Sequence, residues 1–271
     1  MDLNNKVIVV TGGGSGIGRQ LVIQLVNEGA RVAAVDLNEA SLQETLSLVK
    51  DHPERVSLHV LNVSDRQGCE ALPEKVIEAH GAVDGLINNA GIIQPFVRLN
   101  DLPYDAIERV INVNLYGVIY LTKAFLPHLL KRPAGYVVNV SSMGGFFPVP
   151  GQSLYGATKA AVKLMTEGLF AELTETNVRV TVVFPGAIAT NITQNSGIEM
   201  RAPSDGDGGS KFQATSAEDA ARTILEGMKQ EKFQVYIGKD ARMMNILYRL
   251  SPLRATRFMF SRMKHLLPKQ A

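Results

Sequence analysis

The chain has 271 residues, 45% of them hydrophobic and 20% charged, with a formal net charge of +2; this suits one α/β domain with a large core, excludes a disordered chain, and gives no electrostatic case for a nucleic-acid partner. A single cysteine, Cys69, excludes an internal disulfide and fits a reducing, cytoplasmic setting. Residues 1–6 lack the pattern of a signal peptide, no apolar run is long enough to span a bilayer, and the histidines (His52, His59, His80, His128, His265) lack ligand spacing, so no metal is expected.

Lys6-Val7-Ile8-Val9-Val10 reads as a strand covered on both faces. Thr11-Gly12-Gly13-Gly14-Ser15-Gly16-Ile17-Gly18 follows directly, then an amphipathic helix with Ile17, Leu21, Leu25 and Val26 on one side, then a second apolar run that ends in Asp36. Strand, glycine-rich turn, helix, strand and acid in this order form a dinucleotide-binding unit: the glycines let the backbone approach a pyrophosphate at the positive end of the helix. Asp36 can accept from both ribose hydroxyls and would repel a 2′-phosphate, so NAD is favoured over NADP; Arg19 is the nearby cation that could serve NADP. Asp36 could at the same time cap the next helix.

The alternation continues with helix over 39–50, strand 55–60, helix 65–80 and strand 83–87, which is closed by Asn88-Asn89-Ala90-Gly91. A long helix over 104–131 contains Asn114, and strand 135–140 ends in Ser141-Ser142. A helix then runs to 177, strand 178–184 ends in Pro185-Gly186, and residues 191–213, rich in Gly, Ser and Asp, read as a mobile loop. Helix 216–229, with Ser216 as cap, and strand 233–237 complete the pattern. Regular βα alternation implies a doubly wound, parallel, seven-stranded sheet with helices on both faces, over residues 1–238.

Tyr155 and Lys159 stand four residues apart in a helical segment, on one face. An ammonium about 4 Å from a phenol is worth ~4 kcal/mol at an effective dielectric of 20, enough to bring the phenol down towards working pH. A phenol so tuned can exchange a proton with a carbonyl or hydroxyl oxygen.

Taken together, Thr11-Gly12-x-x-x-Gly16-Ile17-Gly18, Asn88-Asn89-Ala90-Gly91, Asn114, Ser142, Tyr155-x-x-x-Lys159 and Pro185-Gly186 resemble the short-chain dehydrogenase/reductase family across residues 5–238, with Ser142 the usual 13 positions before Tyr155. The resemblance implies a Rossmann-type fold. It also implies Tyr155 as general acid/base, Ser142 as the group that positions the substrate oxygen, and Lys159 as the residue that binds the nicotinamide ribose and lowers the Tyr155 pKa. Asn114 would bend its helix and hold a water in a proton relay. Gly12, Ser15, Gly16, Ile17 and Gly18 would cradle the diphosphate, Asp36 would hold the adenosine ribose, and Asn62 and Val63 would border the adenine; the family more often has Asp before that Val. Asn89, Ala90 and Gly91 would line the cofactor, with Pro185, Gly186 and Ile188 beside the nicotinamide and Thr190 near its carboxamide or the diphosphate.

A pocket formed by Gln94, Phe96, residues 143–152 and residues 191–213 is apolar in Gly144-Gly145-Phe146-Phe147-Pro148-Val149-Pro150, which favours a lipophilic secondary alcohol or ketone unless those residues only pack on the loop. The alternatives are a non-catalytic NAD-binding regulatory or scaffold protein, an NADPH-dependent 3-oxoacyl-thioester reductase, and an epimerase or dehydratase. The family's habit implies a homodimer or homotetramer through the helices bearing Asn114 and Tyr155. The extension 239–271 places Met243, Ile246, Leu247 and Leu250 at helical spacing, is broken at Pro252, and is basic thereafter. It reads as an amphipathic tail that covers its own domain or a partner subunit, or lies peripherally on a membrane surface.

Overall fold

Every residue of the first strand, β1 (Val7–Thr11), is buried, as a central strand with cover on both faces must be. The computed structural model of the protein describes residues 2–198 and 214–268. After β1 come α1 (Gly16–Asn27), β2 (Arg31–Asp36), α2 (Glu39–Leu48), β3 (Val56–Val60), α3 (Arg66–His80), β4 (Gly85–Asn88), α4 (Tyr104–Ile111), α5 (Gly117–Leu129), β5 (Gly135–Val140), α6 (Ser153–Glu172) and β6 (Val178–Pro185). The chain continues as β7 (Ile188–Ala189), α7 (Ile192–Asn195), β8 (Thr215–Ser216), α8 (Ala217–Lys229), β9 (Gln234–Ile237), α9 (Lys239–Leu250) and α10 (Pro252–Met263).

Seven strands make one parallel sheet in the order β3-β2-β1-β4-β5-β6-β9, the doubly wound Rossmann-type arrangement. Alternation along β1 sends Ile8 and Val10 into a core with Leu21 and Leu25 of α1 and Ile224 of α8. Val7 and Val9 enter the opposite core with Val76 of α3, Phe125 of α5 and Leu169 of α6. The winding reverses between β1 and β4, which leaves a crevice at the carboxyl ends of the strands.

Buried polar groups fix the parts that border this crevice. Asn88 donates to Asn139 (2.8 Å) and Thr122 (3.1 Å), and Asn139 donates to Thr166 (3.0 Å), tying β4 and β5 to α5 and α6. At the other end of the sheet Asp84 accepts from the Val7 amide (2.9 Å) and pairs with Arg132 (2.8 Å). That carboxylate lies just ahead of the strand, which therefore starts at Gly85 rather than at 83.

Three expectations change. The helix over 104–131 is divided by a π-helical segment, Asn112–Tyr116, between α4 and α5. The loop over 191–213 opens as a short helix, α7, and is tethered by β7 pairing with β8; residues 199–213 lie outside the described residues. The tail turns at Pro252, the first residue of α10, yet the expected stripe of Met243, Ile246, Leu247 and Leu250 faces outward. Buried instead are Ala241, Met244, Ala255 and Met259, packed on Phe147 with Tyr248 and Met263 beside them. The large aromatic at Phe147 recruits the opposite side of α9, because both sides carry apolar residues.

Candidate active site

A cleft of about 480 Å³ crosses the carboxyl ends of the strands. Gly12, Ser15, Gly16, Ile17, Asp36, Asn62, Val63, Asn89, Ala90, Gly91, Ser142, Tyr155, Lys159, Pro185, Gly186, Ile188 and Thr190 line it. Two of the expected site residues, Gly18 and Asn114, do not. Gly18 sits behind the turn, where a Cβ would collide with the Gly12 carbonyl; its work is to let α1 leave β1 at close range.

At one end the turn and β2 are locked together. Asp36 accepts from the Gly14 amide through Oδ2 (3.0 Å) and from the Asn38 amide through Oδ1 (3.0 Å). The cap of α2 is Asn38, which accepts from Ser41, and not Asp36. Arg19 is already committed: its guanidinium meets both oxygens of Glu44 (2.7 and 2.6 Å) and the Gly14 carbonyl. Asn62 turns its carbonyl to the amide and hydroxyl of Ser64. Thr11, given no role by the sequence reading, accepts from the amides of Asn89 and Ala90 at 3.0 Å each and so straps that segment to β1. Asn195 of α7 donates to Ser15 (2.8 Å) across the mouth of the cleft.

At the other end stand Ser142, Tyr155 and Lys159. Ser142 follows β5, accepts from the Gly144 amide (3.0 Å) and hydrogen-bonds the Tyr155 phenol. Ser141, its neighbour, is structural: its hydroxyl donates to the Lys159 carbonyl (2.7 Å). The Lys159 ammonium is buried and donates to the Val140 carbonyl (2.9 Å). A Cβ on Gly91 would come within 3.2 Å of the Lys159 Nζ and 3.3 Å of the Asn114 Oδ1, so a larger residue there would press on both side chains. Asn114, fully buried in the π-helical segment, accepts from the Ile92 amide (2.9 Å) and donates to the Ile92 carbonyl (2.8 Å).

The expected electrostatics reverse here. Burial pushes the Tyr155 phenol above its usual value, and the Ser142 hydrogen bond only partly opposes this. Burial brings Lys159 down from 10.5 to about 8. The ammonium is turned to Val140, and desolvation penalises the charged form of both groups, so spacing along the helix did not foretell the sign.

Gln94 does not line the cleft. It is fully buried, and its Oε1 accepts from the amides of Leu154 (2.8 Å) and Tyr155 (2.9 Å), while its Nε2 donates to the Gly151 carbonyl (3.0 Å). It thus caps the first turn of α6 from a distant loop, where α6 has no side-chain cap of its own. Phe146 packs on Phe184 and Tyr236 and Phe147 on Tyr248, so half of the expected apolar substrate wall is core. Pro148, Val149, Pro150 and Ser153 face Thr256, Arg257 and Phe260 of α10 across a separate groove of about 390 Å³.

A family model described as short chain dehydrogenase matches residues 6–201. The 3-oxoacyl-[acyl-carrier-protein] reductase FabG of Thermotoga maritima is 40% identical over 196 residues, 72% of this chain and 78% of the relative. The oxidoreductase SadH of Mycobacterium tuberculosis is 35% identical over 255 residues, 90% of each chain. Among solved structures, the 3-ketoacyl-(acyl-carrier-protein) reductase of Brucella melitensis complexed with NADH superposes with a TM-score of 0.75 at 25% identity, covering 87% of this chain and 96% of that one.

Proposed function

The chain belongs to the short chain dehydrogenase family, and from that premise we propose that it is an NAD-dependent oxidoreductase acting on a lipophilic secondary alcohol or its ketone. The observation that carries the reading is the convergence of Ser142, Tyr155 and Lys159 at one end of a cleft whose other end presents Asp36. The cleft fits a dinucleotide: Gly12, Gly16 and Gly91 present bare backbone along its wall, and Asp36 stands at its end. The nicotinamide, when bound, supplies the hydride donor or acceptor. NAD is favoured because Asp36 is anchored at the end of β2 and the nearby cation Arg19 is held by Glu44.

Tyr155 is the proton donor and acceptor at the substrate oxygen. Burial keeps its phenol protonated at neutral pH, so the site stands ready to give a proton to a ketone oxygen. Ser142, already hydrogen-bonded to that phenol, holds the same substrate oxygen. Lys159 lines the cleft beside Gly91, where its ammonium would bind the nicotinamide ribose. Asn114 fixes the chain at Ile92 beside Lys159, a position from which it would hold the water of a proton relay. The apolar groove walled by Pro148, Val149, Pro150 and Phe260 supports a lipophilic substrate. Exposed Tyr116, Leu164 and Phe170, on the helices that bear Asn114 and Tyr155, support a homo-oligomer through that face. The free, buried Cys69 is in keeping with a cytoplasmic setting.

A second reading, reduction of a 3-oxoacyl thioester with NADPH, is supported by the Thermotoga relative. A panel of alcohols, ketones and 3-oxoacyl thioesters, followed by absorbance of reduced cofactor with NAD(H) and NADP(H) in parallel, separates the two. Tyr155→Phe is expected to lower kcat by about 10²–10⁴ with nucleotide affinity intact. Full activity in that variant would overturn the assignment.

A further inference from the structure

The tail helices leave exposed an apolar face that the fold does not use. On α9 and α10, Ile246 is 58% exposed, Leu250 79%, Leu253 62% and Phe260 51%, while the opposite side is buried on Phe147. Around them Arg242, Arg249, Arg254, Arg257 and Arg262 are exposed, and among the described residues none of these arginines is in a salt bridge. Arg262 lies over the Phe258 ring, 5.4 Å from its centre. Asp240, the tail's one acid, is spent on the Ala187 amide.

Charge says what this face fits. Eight of the 28 Lys and Arg lie from residue 239 onward, but only one of the 26 Asp and Glu, so the tail carries +7 and the rest of the chain −5. Two copies meeting tail to tail would bring like charges together. An apolar strip bordered by arginines matches instead the interface of a bilayer with anionic headgroups, where the aliphatic side chains enter the acyl boundary and the guanidinium groups stay at the phosphates. We propose that α9 and α10 dock the protein on an anionic phospholipid surface through this outward face. The groove between Pro148, Val149, Pro150 and Thr256, Arg257, Phe260 is walled on one side by α10, so docking would bring this apolar groove to the lipid, where it could take up a lipophilic substrate. That last step rests on the lipophilic-substrate reading; the docking itself does not.

The test is co-sedimentation of the full chain with vesicles of pure phosphatidylcholine and of phosphatidylcholine with about 30% phosphatidylserine. The bound fraction on anionic vesicles should exceed that on neutral ones about tenfold or more, and should fall when salt rises from about 0.05 M to about 0.5 M. Ile246→Asp with Leu250→Asp should reduce binding at least about tenfold while leaving melting temperature and NAD affinity unchanged, since both side chains point to solvent. Absence of binding, equal binding to neutral vesicles, or unaltered binding of the double variant would each overturn the proposal. So would a change in oligomeric mass in that variant without vesicle binding, which assigns the face to a second copy. None of these readouts depends on turnover, so a wrong substrate leaves the result intact.

Discussion

The two ends of the site are made of different materials. Around Asp36 the parts are held by backbone amides and carbonyls: Asp36 to Gly14 and Asn38, Arg19 to the Gly14 carbonyl, Thr11 to Asn89 and Ala90. Beyond Tyr155 the parts are held by side chains on side chains, with Phe147 enclosed by Met244, Tyr248, Ala255 and Met259. An end built on backbone groups at strand termini has its shape fixed by the sheet. An end built on packing can move as a unit and can be lost as a unit.

The largest expected effect tests that independence. Phe147→Ala removes a fully buried ring and should weaken attachment of α9 and α10 by about 3–5 kcal/mol. Limited trypsin digestion should then cut at Arg249 or Arg254 far faster than in the parent protein, while NAD affinity changes little. Parallel loss of nucleotide affinity would mean that the two ends are one cooperative unit.

The next effect lies where the ends meet. Lys159 is brought down from 10.5 to about 8 by burial, so the folded protein disfavours the charged form that the unfolded chain holds. Between pH 8 and 10.5 the unfolded chain binds more protons, and stability contributed by this site rises with pH. Below pH 8 the full penalty, about 3 kcal/mol gross, is present. Lys159→Met removes it and also removes the bond to the Val140 carbonyl, worth about 1 kcal/mol. The variant should therefore melt roughly 4–8 °C higher at pH 7, with the gain fading as pH rises from about 8 to 10.5, and should turn over far more slowly. A lower melting temperature at pH 7 would show that the ammonium is better solvated than its burial implies.

What could be read from the sequence follows the same division. Strands, the glycine turn and Asp36 are short-range: a continuous apolar run, a turn needing glycine and an acid after the second strand all sit within about 30 residues. The clustering of residues as far apart as Gly12, Tyr155 and Pro185 in one cleft follows from the order of βα units and the single reversal of winding. Gln94 was out of reach because it caps a helix some 60 positions away, and nothing local marks a glutamine as a cap for another segment. Which side of α9 would be buried could not be read because the helix is apolar on two sides, and periodicity finds a stripe without saying what it meets. The sign at Tyr155 needed burial, which the four-residue spacing to Lys159 does not contain.

The smallest effect sharpens the nucleotide end. Arg19 reaches Glu44 with two nitrogens and the Gly14 carbonyl with two, and Thr45 accepts from its Nε at 3.2 Å. Glu44 is exposed, so its hold on Arg19 is modest and screened by salt. Glu44→Gln keeps the shape of the side chain and removes its charge, which frees Arg19 for a 2′-phosphate and takes one carboxylate from its neighbourhood. The ratio of kcat/KM for NADP to that for NAD should rise about two- to fivefold at low ionic strength and return towards the parent value in high salt. Asp36→Asn should raise the ratio further, because that carboxylate stands at the end of β2 where the ribose would lie. If Glu44→Gln left the ratio unchanged while Asp36→Asn shifted it, cofactor choice would rest on Asp36 alone, and Arg19 would serve only to brace the glycine turn through the Gly14 carbonyl.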